Sequence, residues 1–382
     1  MFRRPGPALL FLMFLRAGAH AQTTVAPTPQ LESSADKAEL FFSENAYNPV
    51  PSPDGRFIAY VGTGWGRRFP NEIYVGGMGR SSLISDVELM DRSGKIIVSR
   101  LCPAMFLTGW TPDSKSVICY RDRRYAIVTP GGAVVENGER PLTDGRFFYE
   151  RVTFLSDLGR ALWLEPDKGT TAALRTKTET LVRLGGEGAW FLGPWFSQEP
   201  LIAASPNGRY VAMMPTRSGE LWIYDRSMSR WASLGTAIVS PSADWGYIQP
   251  SWDPWFADSS HLVYFSGSDL IVSSPDGQSK RVLYKTDQPV GLPVPSPDGQ
   301  SVAYVSFQGR PELGRSDLRF WANTGVWVIP TTGSAAPRRL TRTDSDTTTS
   351  GIRWLGNDDL VFDRISENIL AMHARIWKVP IH

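Results

Sequence analysis

A polar four-residue turn, followed a few residues later by three consecutive apolar positions, recurs along this chain and limits what it can fold into. The turn is clearest at Ser52-Pro53-Asp54-Gly55, Thr111-Pro112-Asp113-Ser114, Ser205-Pro206-Asn207-Gly208 and Ser296-Pro297-Asp298-Gly299. Looser copies are Ser156-Asp157-Leu158-Gly159, Ala257-Asp258-Ser259-Ser260 and Leu355-Gly356-Asn357-Asp358. The triplets that follow are Ile58-Ala59-Tyr60, Val117-Ile118-Cys119, Leu162-Trp163-Leu164, Val211-Ala212-Met213, Leu262-Val263-Tyr264, Val302-Ala303-Tyr304 and Leu360-Val361-Phe362. Proline sets φ at the first corner of such a turn and Gly or Asn tolerates the left-handed one, so each turn joins two antiparallel strands, the second being the triplet. A strand apolar at successive positions is covered on both faces, whereas a one-sided hairpin alternates. Sheets stacked on sheets meet that demand.

Each unit continues with a third strand: Val87–Met90, Tyr125–Val128, Ala172–Leu174, Leu221–Tyr224, Leu270–Val272, Val326–Ile329 and Ile376–Val379. A fourth follows in most, as at Arg183-Leu184, Trp231–Leu234, Arg281–Tyr284 and Pro337–Thr341. The seventh unit stops at its third strand, which would leave a free sheet edge. Ala38–Phe42 is the candidate to fill it. The expected architecture is therefore all-β: a seven-bladed β-propeller of four-stranded antiparallel blades over residues 37–382, the last blade closed by an N-terminal strand.

The stretches Ser52–Tyr60, Ser205–Met213 and Ser296–Tyr304 resemble the WD-like repeat of the TolB-type propeller family, a Trp-Ser-Pro-Asp-Gly turn leading into Ile-Ala-Phe. The family's following Leu-Trp-Val strand is similar to Leu221-Trp222-Ile223 and Val326-Trp327-Val328. The resemblance covers roughly residues 38–382 and implies the propeller fold. It does not extend to the α/β domain that precedes the TolB propeller, because Gln22–Asp36 holds only fifteen residues. Related hydrolases append a domain with a Gly-x-Ser-x-Gly elbow, and this sequence has no such motif.

Arg3 and Arg4, the apolar run Ala8–Leu15 and the small-residue site Ala19-His20-Ala21 together read as a secretory signal over residues 1–21. Gln22–Asp36, rich in Thr, Pro and Ser, reads as a flexible linker. The expectation is a periplasmic or secreted protein with no membrane insertion of the mature chain. Loss of Arg3, Arg4 and Arg16 takes the 40 basic residues to one fewer than the 38 acidic ones, so no electrostatic footprint for nucleic acid is present. Cys102 and Cys119 are the whole cysteine complement. Across the hairpin turning near Asp113, Cys119 faces about residue 107, so a bridge requires the segment before that strand to fold back.

The sequence has no zinc helix, phosphate loop or cysteine pair at metal spacing, and Gly62-x-Gly64-x-Gly66 lacks dinucleotide spacing. His261, His373 and His382 are scattered, so neither metal nor cofactor is expected. The Asp and Asn of the repeated turns are explained by bonds to their own backbone. Topology offers the better lead. The loop between second and third strands emerges on the same face as the links between blades, and the long insertions of this kind are Gly62–Asp86, Ser306–Thr324 and Asp363–Ala374. The first two carry Trp65, Arg67, Arg68, Phe69, Tyr74, Arg310, Arg315, Arg319 and Trp321. Aromatics with Arg are the residue types that anchor interfaces and stack on sugar rings. The function expected is non-catalytic binding of a protein, peptide or envelope-glycan partner by a monomer. The rivals are a polysaccharide lyase or glycosidase acting in the central channel, and a structural envelope scaffold. Trp252, Trp255 and Phe196 are expected to pack rather than bind.

Overall fold

The computed structural model describes residues 37–382 except 64–84, 104, 122–123, 140–151, 167–171, 185–200, 215–217, 240–251, 313–314, 334, 344–346 and 369–370. Residues 1–36, where a signal segment and linker are expected, lie outside the described residues, as do Phe196 and Trp65, Arg67, Arg68, Phe69 and Tyr74 of the first insertion. Every described element is a strand, and no helix long and apolar enough to cross a membrane occurs among them.

Strand β1 (Glu39–Phe42) precedes a series of antiparallel sets. The first is β2 (Ala46–Pro51), β3 (Phe57–Thr63), β4 (Ser85–Asp91) and β5 (Ile96–Cys102); the second is β6 (Phe106–Trp110), β7 (Val117–Arg121), β8 (Arg124–Val128) and β9 (Val134–Glu139). The third is β10 (Val152–Leu155), β11 (Arg160–Pro166), β12 (Ala172–Arg175) and β13 (Thr180–Leu184). The fourth comprises β14 (Leu201–Ala204), β15 (Tyr210–Met214), β16 (Ser218–Asp225) and β17 (Arg230–Ile238). One pair, Ile238↔Phe265, joins it to β18 (Leu262–Ser266), β19 (Asp269–Ser273) and β20 (Lys280–Lys285), whose inner neighbour is the bridge Trp255↔Leu262. Next come β21 (Val290–Pro295), β22 (Ser301–Glu312), β23 (Arg315–Pro330) and β24 (Arg338–Arg339), then β25 (Thr347–Thr348), β26 (Ile352–Leu355), β27 (Asp359–Asn368) and β28 (Ala371–Pro380). β1 pairs antiparallel with β28, Glu39 opposite Lys378, at the outer side of that last sheet.

The apolar triplets occupy the second strand of each set and are buried wherever their side chains are described: Ile58, Ala59 and Tyr60 are fully enclosed, as are Val302-Ala303-Tyr304 and Leu360-Val361-Phe362. The turns before them share one wiring. Ser52 Oγ accepts the Phe57 N–H (3.1 Å) and donates to Asp54 Oδ1 (2.7 Å), which also accepts the Arg56 N–H (3.1 Å). Thr111 with Asp113, Ser205 with Asn207 and Ser296 with Asp298 repeat it. These carboxylates therefore hold their own backbone. Gly55, Gly208 and Gly299 adopt positive φ, and Ser114 and Ser259 stand in the same conformation without glycine's freedom. Their hydroxyls are used elsewhere: Ser114 Oγ accepts the Asp54 N–H and Ser259 Oγ the Asn207 N–H, both at 3.0 Å, tying one set's turn to the next.

Indole groups stitch the same seams. Trp110 Nε1 donates to Val50 O (2.8 Å), Trp255 Nε1 to Ala203 O (3.0 Å) and Trp354 Nε1 to Val294 O (3.1 Å), each reaching the innermost strand of the preceding set. Trp252 and Trp255 are buried in the largest apolar cluster, the packing role expected of them.

Two expectations are revised. The described residues of Ser306–Thr324 and Asp363–Ala374 are strand rather than loop: β22 pairs with β23 out to Glu312↔Arg315, and β27 with β28 out to Asn368↔Ala371. Residues such as Phe307, Phe320, Trp321 and Ile365 favour the strand, and pairing continues past the core. His373 accordingly sits in β28, opposite Ser366. The cysteines are bridged. Cys119 faces Leu107 as expected, but the chain doubles back between β5 and β6, bringing Cys102 to a Cα separation of 6.5 Å and linking the first set to the second.

Candidate functional site

The three sets that carry the long insertions share one arrangement, in which the second strand runs out beside the start of the first: Ala46 pairs with Gly62, Val290 with Ser306 and Thr347 with Ser366. They are also neighbours. Trp354 ties the last set to the one before it, and Asn48 ties the first set to the last, its N–H donating to Asp363 Oδ2 at 2.8 Å. Asp363 is fully buried and accepts two further backbone N–H groups, from Ser350 (2.7 Å) and Gly351 (3.4 Å), with the Ser350 hydroxyl as well. Burial pushes its carboxyl up, and these donors work against the shift.

The β22–β23 hairpin is locked at its base. Phe307 and Ala322 are almost wholly buried, Ser306 Oγ meets Thr324 Oγ1 (2.7 Å) and accepts from Trp327 Nε1 (2.8 Å), and the Arg339 guanidinium lies over the Trp327 ring and reaches Thr324 O. Gly325 makes this possible: a Cβ there would stand 2.8 Å from Arg339 Nε. Farther out, Arg310 pairs with Phe320, Gly309 with Trp321, Pro311 with Arg319 and Glu312 with Arg315. Four of the residues singled out in the sequence thus sit on one paired arm. The β27–β28 hairpin is anchored likewise, by Ile365 and Ala374 in an apolar cluster with Tyr47 and Val61, and by Ala374 N–H to Asn45 Oδ1 (2.7 Å).

A concavity of about 670 Å³ runs through the middle of the molecule, lined by the innermost strands. At the turn end its mouth is set by Pro53, Pro112, Pro206 and Pro297. Proline suits an innermost strand, whose free edge faces the opening and is blunted where N–H groups are missing. Asp253 and Arg353 are among the lining residues. Asp253 keeps contact with solvent yet is ringed by protein; that enclosure pushes its carboxyl up, opposed by the positive charge of Arg353. Arg353 is buried and donates to Ile352 O (3.0 Å). The two follow no turn motif and no apolar column, so nothing in the sequence drew them together.

No protein-family model matches the chain, and no curated protein does. Solved structures do. The β-propeller domain of Cps50 (Swd1) from Myceliophteria thermophila is similar with a TM-score of 0.55 at 11% identity, covering 90% of this chain and 100% of its own. Oligogalacturonate lyase in complex with manganese gives 0.53 at 11% identity over 91% of this chain and 92% of that one. A chain of the mitotic checkpoint complex gives 0.51 at 12% over 97% and 99%. The fold is a β-propeller. Identities this low speak to the fold alone, and propellers host many activities. Among the described residues of this propeller no three His, Cys, Asp or Glu side chains come together as metal ligands would. His261 Nδ1 meets Ser260 Oγ (2.6 Å), and His382 approaches Asp358 (3.4 Å) at the surface.

Proposed function

We propose that the chain is an exported, monomeric TolB-type propeller of seven blades, closed by β1, whose hairpin-bearing face binds a protein, peptide or envelope-glycan partner without catalysis. The observation that carries this reading is the paired β22–β23 arm. It bears Arg310, Arg315, Arg319 and Trp321 on backbone fixed by strand register and by a buried base. A pre-ordered arm loses little entropy on docking, and Arg with Trp are the anchors that interfaces favour. The Cys102–Cys119 bridge supports export, since such bonds persist in oxidising compartments. The Cps50 and mitotic checkpoint likenesses support the propeller scaffold on which such a face would sit.

The test is a variant carrying Ala at Arg310, Arg315, Arg319 and Trp321, compared with the unaltered protein in envelope cross-linking read by mass spectrometry and on a glycan array. Partner recovery should fall at least tenfold while the urea midpoint holds. Undiminished recovery from a folded variant removes the arm from the binding face.

A further inference from the structure

The β22–β23 arm has two lateral edges, and they are not equivalent. Pairing with β21 stops at Val290↔Ser306 and pairing with β24 at Trp327↔Arg339. Among the described residues, the outer part of the arm, from Gln308↔Ala322 to Glu312↔Arg315, therefore has no third strand on either side. One hydrogen bond settles which backbone groups face outward. Phe307 N–H donates to Pro289 O (2.8 Å), away from β23, and in a strand the groups two residues on face the same way. Gly309 and Pro311 thus turn their amide side away from β23, in keeping with Pro311 having no N–H to offer it. Their cross-strand partners Trp321 and Arg319 stand in non-hydrogen-bonded pairs and turn N–H and C=O to the opposite edge.

The β22 edge is blunted at Pro311, a common guard against strand pairing. The β23 edge has no proline. It opens past Thr324, whose carbonyl is taken up by Arg339 and Thr343, and there Arg319 and Trp321 present two donors and two acceptors on backbone held by β22. Donor and acceptor recur together at every second residue, about 7 Å apart. An extended polypeptide repeats that spacing and a sugar chain does not. Residues 307–323 hold Arg310, Arg315 and Arg319 against Glu312 and Asp317, an excess of one positive charge, with Arg319 at the open edge. Opposite charges on facing residues of paired strands favour the pairing.

We propose that the partner docks by strand addition: an extended segment of another polypeptide pairs with β23 along Arg319–Trp321 and carries a carboxylate opposite Arg319. This rests on the hairpin-face reading and narrows it, selecting a peptide strand over a glycan.

The experiment adds the capped peptide Thr-Val-Thr-Glu-Thr-Val-Thr to the full-length mature protein and follows amide hydrogen exchange residue by residue. Its controls are the same peptide N-methylated throughout, which keeps the side chains and loses every donor, and the peptide with Gln for Glu. Exchange at Arg319 and Trp321 should slow at least tenfold, while Phe320 and Ala322, whose amides already face β22, stay unchanged. The methylated peptide should protect nothing, and the Gln peptide should bind at least threefold more weakly. No protection at Arg319 and Trp321, or equal protection by the methylated peptide, overturns strand addition; equal binding of the Gln peptide overturns the carboxylate. Protection of the same two amides without peptide, in a protein that sediments as a dimer, assigns the edge to a second copy and overturns it too. The four-alanine variant separates this proposal from the reading beneath it. If that variant loses its envelope partner and the peptide protects nothing, the face stands and strand addition falls; if the variant keeps its partner, the hairpin-face reading falls whatever the peptide does.

Discussion

The first set and the set containing β21 begin with nearly the same words: Asn48-Pro49-Val50-Pro51-Ser52-Pro53-Asp54-Gly55 against Leu292-Pro293-Val294-Pro295-Ser296-Pro297-Asp298-Gly299. Their backbones agree too. Asn48 (φ 50°) and Leu292 (φ 56°) both sit in left-handed conformation at a register shift, and each one's own strand receives an indole bond at the carbonyl of its valine, Val50 or Val294. The seams differ in what receives the N–H at the left-handed residue. Leu292 N–H finds the carbonyl of Val239 (2.7 Å), an acceptor that costs nothing extra to bury, while Asn48 N–H finds the carboxylate of Asp363. One backbone solution is therefore completed by two chemistries. The costlier one lies where the N-terminal and C-terminal parts of the chain meet, residues more than three hundred positions apart.

Removing that carboxylate should break the comparison most strongly. Asp363→Ala leaves the buried N–H groups of Asn48 and Ser350 unpartnered, each worth about 1–3 kcal/mol, for a loss of about 4 kcal/mol in urea unfolding. The seam at Leu292 has no side chain whose deletion orphans its N–H. A loss below about 1 kcal/mol would show that water or a neighbouring group replaces the carboxylate and that the two seams are equivalent.

A smaller effect comes from making the seams alike. Leu292 demonstrates that a side chain without hydrogen bonds is tolerated at this φ, so Asn48→Leu should keep the N–H to Asp363 and lose only the bond from Nδ2 to Leu107 O, at about 1 kcal/mol. If the loss equals that of Asp363→Ala, the side chain rather than the backbone donor holds the seam.

Much of this molecule is legible in sequence because its repeats are local. Turn wiring needs residues within five positions, and the apolar triplet announces two-sided burial without any knowledge of partners. The same locality misleads at Ser274-Pro275-Asp276-Gly277, which has the full wiring, with Ser274 Oγ to Asp276 Oδ1 at 2.6 Å and Gly277 N–H to Ser274 O at 3.0 Å, yet joins third and fourth strands of its set. The motif marks a tight hairpin, not its place in the set. The arm bearing Arg310 and Trp321 was legible as an insertion but not as a hairpin, since Ser306–Thr324 mixes Gly and Pro with charged residues. Only the long partner strand resolves the pattern. Asp363, Asp253 and the Cys102 approach were out of reach for one reason: each acts on a residue of another set, and no spacing encodes that.

The smallest effect separates two copies of the turn itself. Asp113 and Asn207 hold the same place and accept the same bonds, from Thr111 Oγ1 (2.6 Å) and Lys115 N (3.1 Å) in one copy and from Ser205 Oγ (2.8 Å) and Arg209 N (3.0 Å) in the other. Only the carboxylate can lose its acceptor quality to a proton. The Thr111 hydroxyl, helped by the Lys115 N–H and charge, lowers the Asp113 pKa from its ordinary 3.8. A group with a depressed folded value stabilises the fold fully above its unfolded value, and that share is lost as pH falls through the folded one. Asp113→Asn should therefore leave the urea midpoint near neutrality almost unchanged, as Asn207 already does the same work. As pH falls below the ordinary carboxyl value of 3.8, the variant should lose stability less steeply than the parent. Equal acid slopes would mean that the turn holds its backbone as well with a protonated acid as with a carboxylate, and that charge is incidental to the motif.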